Sequence, residues 1–295
     1  IIRSSNMLAK YIPDPNKVLL HFLNLLIGLG LLNKYDCVHR DIKPGNITLL
    51  KGGLARFIDY GLSAKYKKSI LEDSGKIDYD WDWAKTDYIY WPKDLQILSS
   101  SKNKGLHTKI KQLLAGKSQN ESVSILIEES AKLFTLYTGY SLHFYPEDKQ
   151  SQFQSLVEFM IDVFIKKIFE SNTFDVSGHL IQSKWDVFSL GQTFSEILKR
   201  SKIELSDESV KIPLHKLITD MVSLHPLKRP SIKECIERFI ILIPHTLVAE
   251  YEPEFNELFK IAREQLEIEI EIHTPQSESD YGSESDIEFD LSDED

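Results

Sequence analysis

The stretch Val38-His39-Arg40-Asp41-Ile42-Lys43-Pro44-Gly45-Asn46 is the most informative part of this chain. It places a carboxylate (Asp41), an ammonium group (Lys43) and an amide (Asn46) close together along the backbone. A loop that transfers phosphoryl groups needs these three chemical groups, as proton acceptor, fixed cation and metal ligand. The spacing therefore predicts a phosphoryl-transfer site.

Four more segments with characteristic residues follow this stretch in order. They are Phe57-Ile58-Asp59-Tyr60-Gly61, Thr86-Asp87-Tyr88-Ile89-Tyr90-Trp91-Pro92-Lys93, Trp185-Asp186-Val187-Phe188-Ser189-Leu190-Gly191 and His225-Pro226-Leu227-Lys228-Arg229-Pro230-Ser231. Together the five segments resemble the catalytic half of the eukaryotic-type protein kinases over roughly residues 15 to 245. A lysine two residues after the aspartate is typical of the serine/threonine kinases.

The resemblance implies a role for each polar residue of the site. Asp41 would accept the proton of the substrate hydroxyl, and Lys43 would neutralise charge on the transferred phosphate. Asn46 and Asp59 would hold the magnesium ion that bridges the ATP phosphates, so that Lys43, Asn46 and Asp59 form the ATP-binding set. Thr86 stands where the family has a threonine that hydrogen-bonds the catalytic aspartate and lysine. The expected cofactors are ATP and Mg.

Five other residues are expected to support the site. His39 is predicted to be a structural histidine in the core, and Gly61 to give backbone freedom at a turn. Asp186 is expected to be buried and to accept backbone N–H bonds from the catalytic loop. By resemblance, Arg40 would meet a phosphate on the activation segment, and Arg229 would pair with the glutamate of Ala-Pro-Glu.

The activation segment contains three candidate acceptors of such a phosphate, Ser69, Ser74 and Thr86. Thr86 fits a hydrogen-bonding role better than a phosphorylation site. The segment also departs from the family, because Lys93 replaces the glutamate that pairs with Arg229. A like-charge contact would follow, and Asp94 is the predicted substitute acceptor.

The nucleotide-clamping half of a kinase has no counterpart in the sequence. Only residues 1 to 38 precede the catalytic loop, and they contain no glycine-rich loop and no lysine or glutamate of the kind that positions the phosphates. Gly28-Leu29-Gly30 lies in an apolar helical stretch and lacks the third glycine. We therefore expect a kinase C-lobe, as a fragment or the product of a shortened gene, with the N-lobe absent from this chain.

The expected fold class is mainly α, a protein-kinase-like C-terminal lobe with a short β-hairpin at the active site. Residues 47 to 57 form a largely apolar stretch that is broken by Lys51-Gly52-Gly53, which predicts the hairpin. Apolar periodicity predicts five helices. They are Asn16 to Tyr35, Gln154 to Phe169, Trp185 to Lys199, Leu214 to Leu224 and Ile232 to Leu242.

We predict two regions, a C-lobe over residues 1 to 250 and a helical extension with an acidic disordered tail over 251 to 295. The C-lobe would carry an insertion at about 99 to 175, which opens with a polar loop, Ser99 to Gly105, and continues as a helical subdomain beside the substrate cleft. This insertion and the Tyr-x-Tyr-Trp-Pro segment resemble kinases of large DNA viruses in style.

The acidity of the chain is concentrated in its tail. Twelve acidic residues and no lysine or arginine lie between Glu267 and Asp295, so residues 1 to 266 carry a net charge of +2 out of the total of −10. Such a segment cannot bury enough surface to fold. It is either a solubilising tail or a regulatory segment for a partner, since its serines precede acidic residues.

The remaining composition indicates a cytoplasmic protein, in the host cytoplasm or virion if the chain is viral. Two cysteines, Cys37 and Cys235, form no disulfide framework. The most apolar segment, Val18 to Leu32, is short for a bilayer and contains His21 and Asn24, so a buried helix is expected. We expect a protein substrate and neither a nucleic-acid nor a membrane partner.

Two function classes remain open. The first is a serine/threonine protein kinase, complete only with an N-lobe from an upstream segment or another chain. The second is a catalytically inactive, kinase-derived binding module. Retention of all four residues Asp41, Lys43, Asn46 and Asp59 favours the enzyme. A small-molecule phosphotransferase is disfavoured, because Thr86 and the Tyr-Trp-Pro segment resemble a peptide-binding loop.

Overall fold

The computed structural model describes residues 15–49, 53–65, 89–98, 106–140, 148–166, 178–201 and 207–269. These residues are mainly helical, as the sequence predicted. The helices are α1 (Pro15–Lys34), α2 (Lys93–Leu98), α3 (Leu106–Leu114), α4 (Gln119–Tyr140), α5 (Asp148–Ile161, continued by a π-helical turn at Asp162–Lys166), α6 (Gly178–Ser201), α7 (Glu208–Met221), α8 (Ile232–Ile241), α9 (His245–Glu250) and α10 (Glu252–Leu266). Short 3₁₀ turns lie at Pro44–Asn46, Tyr60–Leu62 and Pro226–Lys228.

Four short strands form two antiparallel pairs within the described ranges. Strand β1 (Cys37–Val38) pairs with β4 (Ala64–Lys65), and β2 (Ile47–Leu49) pairs with β3 (Ala55–Phe57). The β2–β3 pair is the predicted hairpin, with Ile47 opposite Phe57. Its turn at residues 50–52 lies outside the described residues.

Helix α1 is the centre of the main core. It packs against β3, α8 and α10, and its apolar residues are buried on most sides. Among the described residues, only Lys17–Lys34 is long and apolar enough to cross a membrane, and 61% of that segment is buried inside the protein. The apolar part of α1 is thus longer than the segment Val18 to Leu32, which was expected to be too short for a bilayer. Its contacts with the rest of the protein favour the expected role as a buried helix.

One of the two glycines of α1 serves close packing. An added Cβ at Gly30 would come within 2.7 Å of Leu266 Cδ1 in α10, so the small residue lets the two helices approach closely. Gly30 therefore has a structural explanation that involves no nucleotide, whereas a Cβ at Gly28 would only reach ordinary contact with Phe57 at 3.6 Å. Helix α10 contributes Phe255, Leu258, Phe259 and Ala262 to the same core as α1, so the predicted helical extension is part of this core.

The predicted insertion is helical where it is described, and it builds a second core. Residues from α3, α4 and α5 pack there around Phe159 and Met160, together with Trp91 and with Trp185 and Phe188 of α6. Helix α6 also contributes Val187, Leu190 and Phe194 to the main core. Helix α6 therefore joins the two cores. Asp186, in the N-terminal half of this helix, accepts a hydrogen bond from His39 N in the loop of residues 38–46.

The helix boundaries differ from prediction in three main places, and in one of them α6 begins at Gly178, seven residues before the predicted start at Trp185. Helix α7 begins at Glu208, six residues before the predicted start at Leu214, because the side chain of Asp207 accepts a hydrogen bond from Ser209 N at 2.9 Å and caps the helix. The predicted helix from Gln154 begins earlier, at Asp148, and its regular α-helical part ends at Ile161. Residues 167–177 lie outside the described ranges.

Candidate active site

The loop of residues 38–46 is anchored to helix α6 by one carboxylate. Asp186 is 1% exposed and accepts hydrogen bonds from the backbone N–H groups of His39 (2.5 Å) and Arg40 (2.9 Å). This is the contact expected from the sequence. Burial raises the pKa of Asp186 above its usual range, and the two N–H donors oppose that rise because they stabilise the charged form.

Asp41, Lys43 and Asn46 meet at a single oxygen. Asp41 Oδ2 lies 2.7 Å from Lys43 Nζ and 2.7 Å from Asn46 Nδ2. Asn46 Nδ2 also donates to the Asp41 carbonyl at 2.9 Å. The 3₁₀ turn Pro44–Asn46 brings the amide back toward the aspartate, closed by the bond from Asn46 N to Lys43 O at 2.9 Å. The three residues predicted from their spacing are therefore in direct contact.

The hairpin places Asp59 close to Asn46. Ile58 N donates to Asn46 O at 2.9 Å, which continues the β2–β3 ladder by one bond, and Asp59 follows directly. Asp59 is exposed and adopts a left-handed backbone conformation with φ of 64°. Asparagine and aspartate tolerate this conformation better than most residues.

Two side chains with oxygen atoms, those of Asn46 and Asp59, lie at this end of the hairpin. Because Asn46 uses its amide nitrogen for Asp41, its amide oxygen is the group left for a cation, and Asp59 adds a carboxylate. Magnesium prefers such oxygen ligands and usually combines one or two carboxylates with water and phosphate oxygens. In the described part of the chain, no group of three or more His, Cys, Asp or Glu residues could hold a metal by itself.

Gly61 differs from its predicted role. It lies in the 3₁₀ turn Tyr60–Leu62, and the residue with positive φ is Asp59, so the turn does not use the conformational freedom of glycine. The small size of Gly61 matters instead, because an added Cβ would lie 3.3 Å from Asp59 Oδ1. A larger residue here would press on the proposed metal ligand.

His39 has the structural position that was predicted. It is fully buried, and its ring lies 4.8 Å from the ring of Tyr60 and 5.5 Å from that of Phe57. Its Nδ1 accepts a hydrogen bond from Asp41 N at 3.3 Å. His39 therefore supports the backbone of the loop, and Asp41 remains the candidate base.

Arg229 is paired with Asp94, as the sequence predicted. Both side chains are fully buried, and Arg229 Nη2 donates to Asp94 Oδ1. Asp94 Oδ2 accepts from Trp185 Nε1 at 2.9 Å, and Arg229 Nε donates to Ser223 O at 2.7 Å. Lys93, which directly precedes Asp94 in the sequence, is also buried.

Sequence reasoning missed one contact at the site. Trp91 Nε1 donates to Arg40 O at 2.9 Å, directly before Asp41. One sequence feature could have indicated this contact: Trp91 occupies the position where the family has the alanine of Ala-Pro-Glu. Thr86, Ser69 and Ser74 lie outside the described residues, so the roles predicted for them remain predictions.

Comparison with known proteins gives short matches to kinases. The chain is 42% identical over 36 residues to serine/threonine-protein kinase PknA of Corynebacterium glutamicum, and 37% identical over 62 residues to serine/threonine-protein kinase STE11 of Saccharomyces cerevisiae. It is 32% identical over 62 residues to a Trypanosoma brucei brucei protein named as a serine/threonine-protein kinase. No protein-family model matches the chain.

These matches are local. They cover 12%, 21% and 21% of this chain and 8%, 9% and 14% of the three relatives, so the chain spans only a small part of each. They support a kinase-like relationship for the segment they cover. None of the three relatives is viral, and the resemblance to kinases of large DNA viruses stays an expectation.

Proposed function

We propose that this chain is the C-lobe of a serine/threonine protein kinase that transfers the γ-phosphoryl group of ATP to protein hydroxyls. The observation that carries the proposal is the contact of Lys43 and Asn46 with one oxygen of Asp41, on a loop held by the buried carboxylate of Asp186. A loop that served only for binding would not require a base, a cation and an amide to converge on one atom. The proposed site is that of Asp41, Lys43, Asn46, Asp59 and Thr86.

In this proposal Asp41 accepts the proton of the attacking hydroxyl. Its carboxylate is oriented by the amide of Asn46 and the ammonium of Lys43, and that ammonium would offset negative charge at the reacting phosphate. ATP with Mg, when bound, supplies the phosphoryl group and neutralises the phosphate charges. Asn46 and Asp59 would hold the metal, and Gly61 leaves room for the Asp59 carboxylate.

The wider proposal concerns the whole protein. Its substrate would be a protein, it would act in the cytoplasm, and the acidic tail after Glu267 would be the segment that a regulatory partner recognises. The division into a C-lobe over residues 1–250, with its insertion, and a terminal region over 251–295 remains part of this proposal. An N-lobe would come from an upstream segment or from another chain.

The test is radiolabel transfer from ATP to a generic serine/threonine substrate by the full-length protein. Replacing Asp41 by Asn removes the proton acceptor at constant size and is expected to lower turnover by ~10²- to 10⁴-fold. The matched control is Asp220→Asn, which removes a partly exposed carboxylate that pairs with Arg238.

Unchanged transfer in the Asp41→Asn protein would refute the assignment of the base. Absence of transfer in the wild-type protein, supplied with its own N-lobe, would favour the alternative function, an inactive kinase-derived binding module.

A further inference from the structure

We propose that Trp91 is a positioning residue for Asp41, linking the segment before α2 to the proposed catalytic base. The inference deepens the proposed function and rests on it for its catalytic consequence. Its structural part, that Trp91 fixes the peptide bond before Asp41, stands on contacts in this chain and is tested separately.

The residue before the base has a costly backbone conformation. Arg40 has φ of 69°, in the left-handed region that a residue with a long side chain seldom adopts. Such a conformation persists only where the surroundings hold it. Here Asp186 Oδ1 accepts from Arg40 N at 2.9 Å and Trp91 Nε1 donates to Arg40 O at 2.9 Å, so both polar backbone atoms of this residue are bound.

The same indole bond fixes the peptide plane that leads into Asp41. A peptide group is planar, so its carbonyl and its N–H move together. The carbonyl of the Arg40–Asp41 peptide is held by Trp91, and its N–H donates to His39 Nδ1 at 3.3 Å. The two bonds therefore oppose rotation of this plane from its opposite edges.

Trp91 is itself held in place, so its N–H can act as a fixed donor. The side chain is 7% exposed and packs in the second core, beside residues of the insertion. Its neighbour Tyr90 is tied to α6, because Ser189 Oγ donates to Tyr90 O at 2.7 Å. Tryptophan suits this position because it joins a large apolar body to one N–H donor. Trp91 therefore connects the second core, which contains residues of the insertion, to the loop that carries Asp41.

Hydrogen exchange of the full 295-residue chain tests the structural part. Trp91→Phe keeps an aromatic ring and removes the donor, and we expect the amides of His39, Arg40 and Asp41 to exchange about 3- to 10-fold faster, as expected for loss of one hydrogen bond. The control is Tyr90→Phe, which removes a donor that bonds Glu196 instead. Equal exchange of these amides in both variants would overturn the proposal.

A second substitution distinguishes loss of the hydrogen bond from a general loss of packing around Trp91. Replacing Trp91 by benzothienylalanine exchanges the indole N–H for sulfur at nearly the same shape. It should reproduce the faster exchange at residues 39–41 without altering exchange elsewhere in the second core. Normal exchange at residues 39–41 in this protein would show that packing, and not the hydrogen bond, fixes the loop.

The catalytic part is tested in the full-length protein with its N-lobe. The Trp91→Phe protein should have a kcat about 3- to 10-fold lower, with the KM for ATP unchanged within twofold, because the loop holds the base and not the nucleotide. An unchanged kcat together with faster exchange would refute the catalytic role alone. If the wild-type protein transfers no phosphate, the proposed function fails while the exchange result still decides the structural claim.

Discussion

Replacing Asp94 by Asn should strongly destabilise this protein, because Asp94 is the charged partner of a fully buried arginine. Both side chains are 0% exposed. Asparagine matches aspartate in size, and its amide oxygen can still accept one of the two hydrogen bonds, from Trp185 or from Arg229. The substitution therefore removes the negative charge without changing the size of the side chain.

The magnitude follows from the burial of Arg229. Its Nε keeps the bond to Ser223 O, but the guanidinium would lose its compensating negative charge in the core. Breaking a buried ion pair by neutralising one partner costs about 3–5 kcal/mol. For a chain of this size each kcal/mol lowers the melting temperature by about 2–4 °C, so a decrease of roughly 6–20 °C is expected.

Thermal unfolding monitored by circular dichroism is the assay, and the chain offers a matched control. Asp220 pairs with Arg238 at 2.7 Å, but those side chains are 29% and 38% exposed. An exposed pair contributes about 0–1 kcal/mol, so Asp220→Asn should change the melting temperature by no more than about 4 °C. If Asp94→Asn and Asp220→Asn shift it equally, Asp94 does not stabilise Arg229 as argued.

Three further outcomes are expected. Lys93→Glu should raise the melting temperature or leave it unchanged, because Arg229 Nη1 has no hydrogen-bond partner among the described residues; a large decrease would show that Lys93 has an essential acidic partner. Burial, helped by the charge of Lys17, lowers the pKa of His21 to about 4, below the ~6.5 of the unfolded chain, so stability should fall as the pH drops from 7 to 5, by roughly 2 kcal/mol from this residue. In urea unfolding His21→Gln should lose less stability over that range, since Gln can accept the bond from Ala55 N without becoming charged; an equal loss would exclude His21 as a cause. Residues 1–295 alone should bind ATP and magnesium weakly by calorimetry, since the sequence has no glycine-rich loop; submicromolar binding would mean that other residues replace it.

The local parts of the site were predictable from the sequence. Asp41, Lys43 and Asn46 are so close in the chain that one 3₁₀ turn brings them together, and the hairpin needed only an apolar stretch with a glycine turn. The contact of Asp186 with the loop spans 147 residues, and it was expected only because the motif resembles a known family. Spacing alone carries no information about a contact at that separation.

Other features were missed because tertiary packing decides them. Trp91 is separated from Arg40 by 51 residues, and an isolated tryptophan in an aromatic segment predicts burial but no particular partner. Gly61 was predicted to give backbone freedom at the turn, yet the residue there with positive φ is Asp59. Helix α7 begins earlier than its apolar pattern because the cap at Asp207 comes before the apolar residues.

The packing of α10 on α1 has a consequence for synthesis on the ribosome. Lys17 lies 5.0 Å from the ring of Tyr251, and Lys34 Nζ donates to Gln265 O at 2.7 Å, a separation of 231 residues. The first described helix thus receives one of its largest apolar partners only when the residues between α1 and α10 have all emerged. Contacts of such sequence separation form slowly, and apolar surface that waits for them is prone to aggregation. Nascent α1 should therefore depend on chaperones until residues 252–266 have left the exit tunnel.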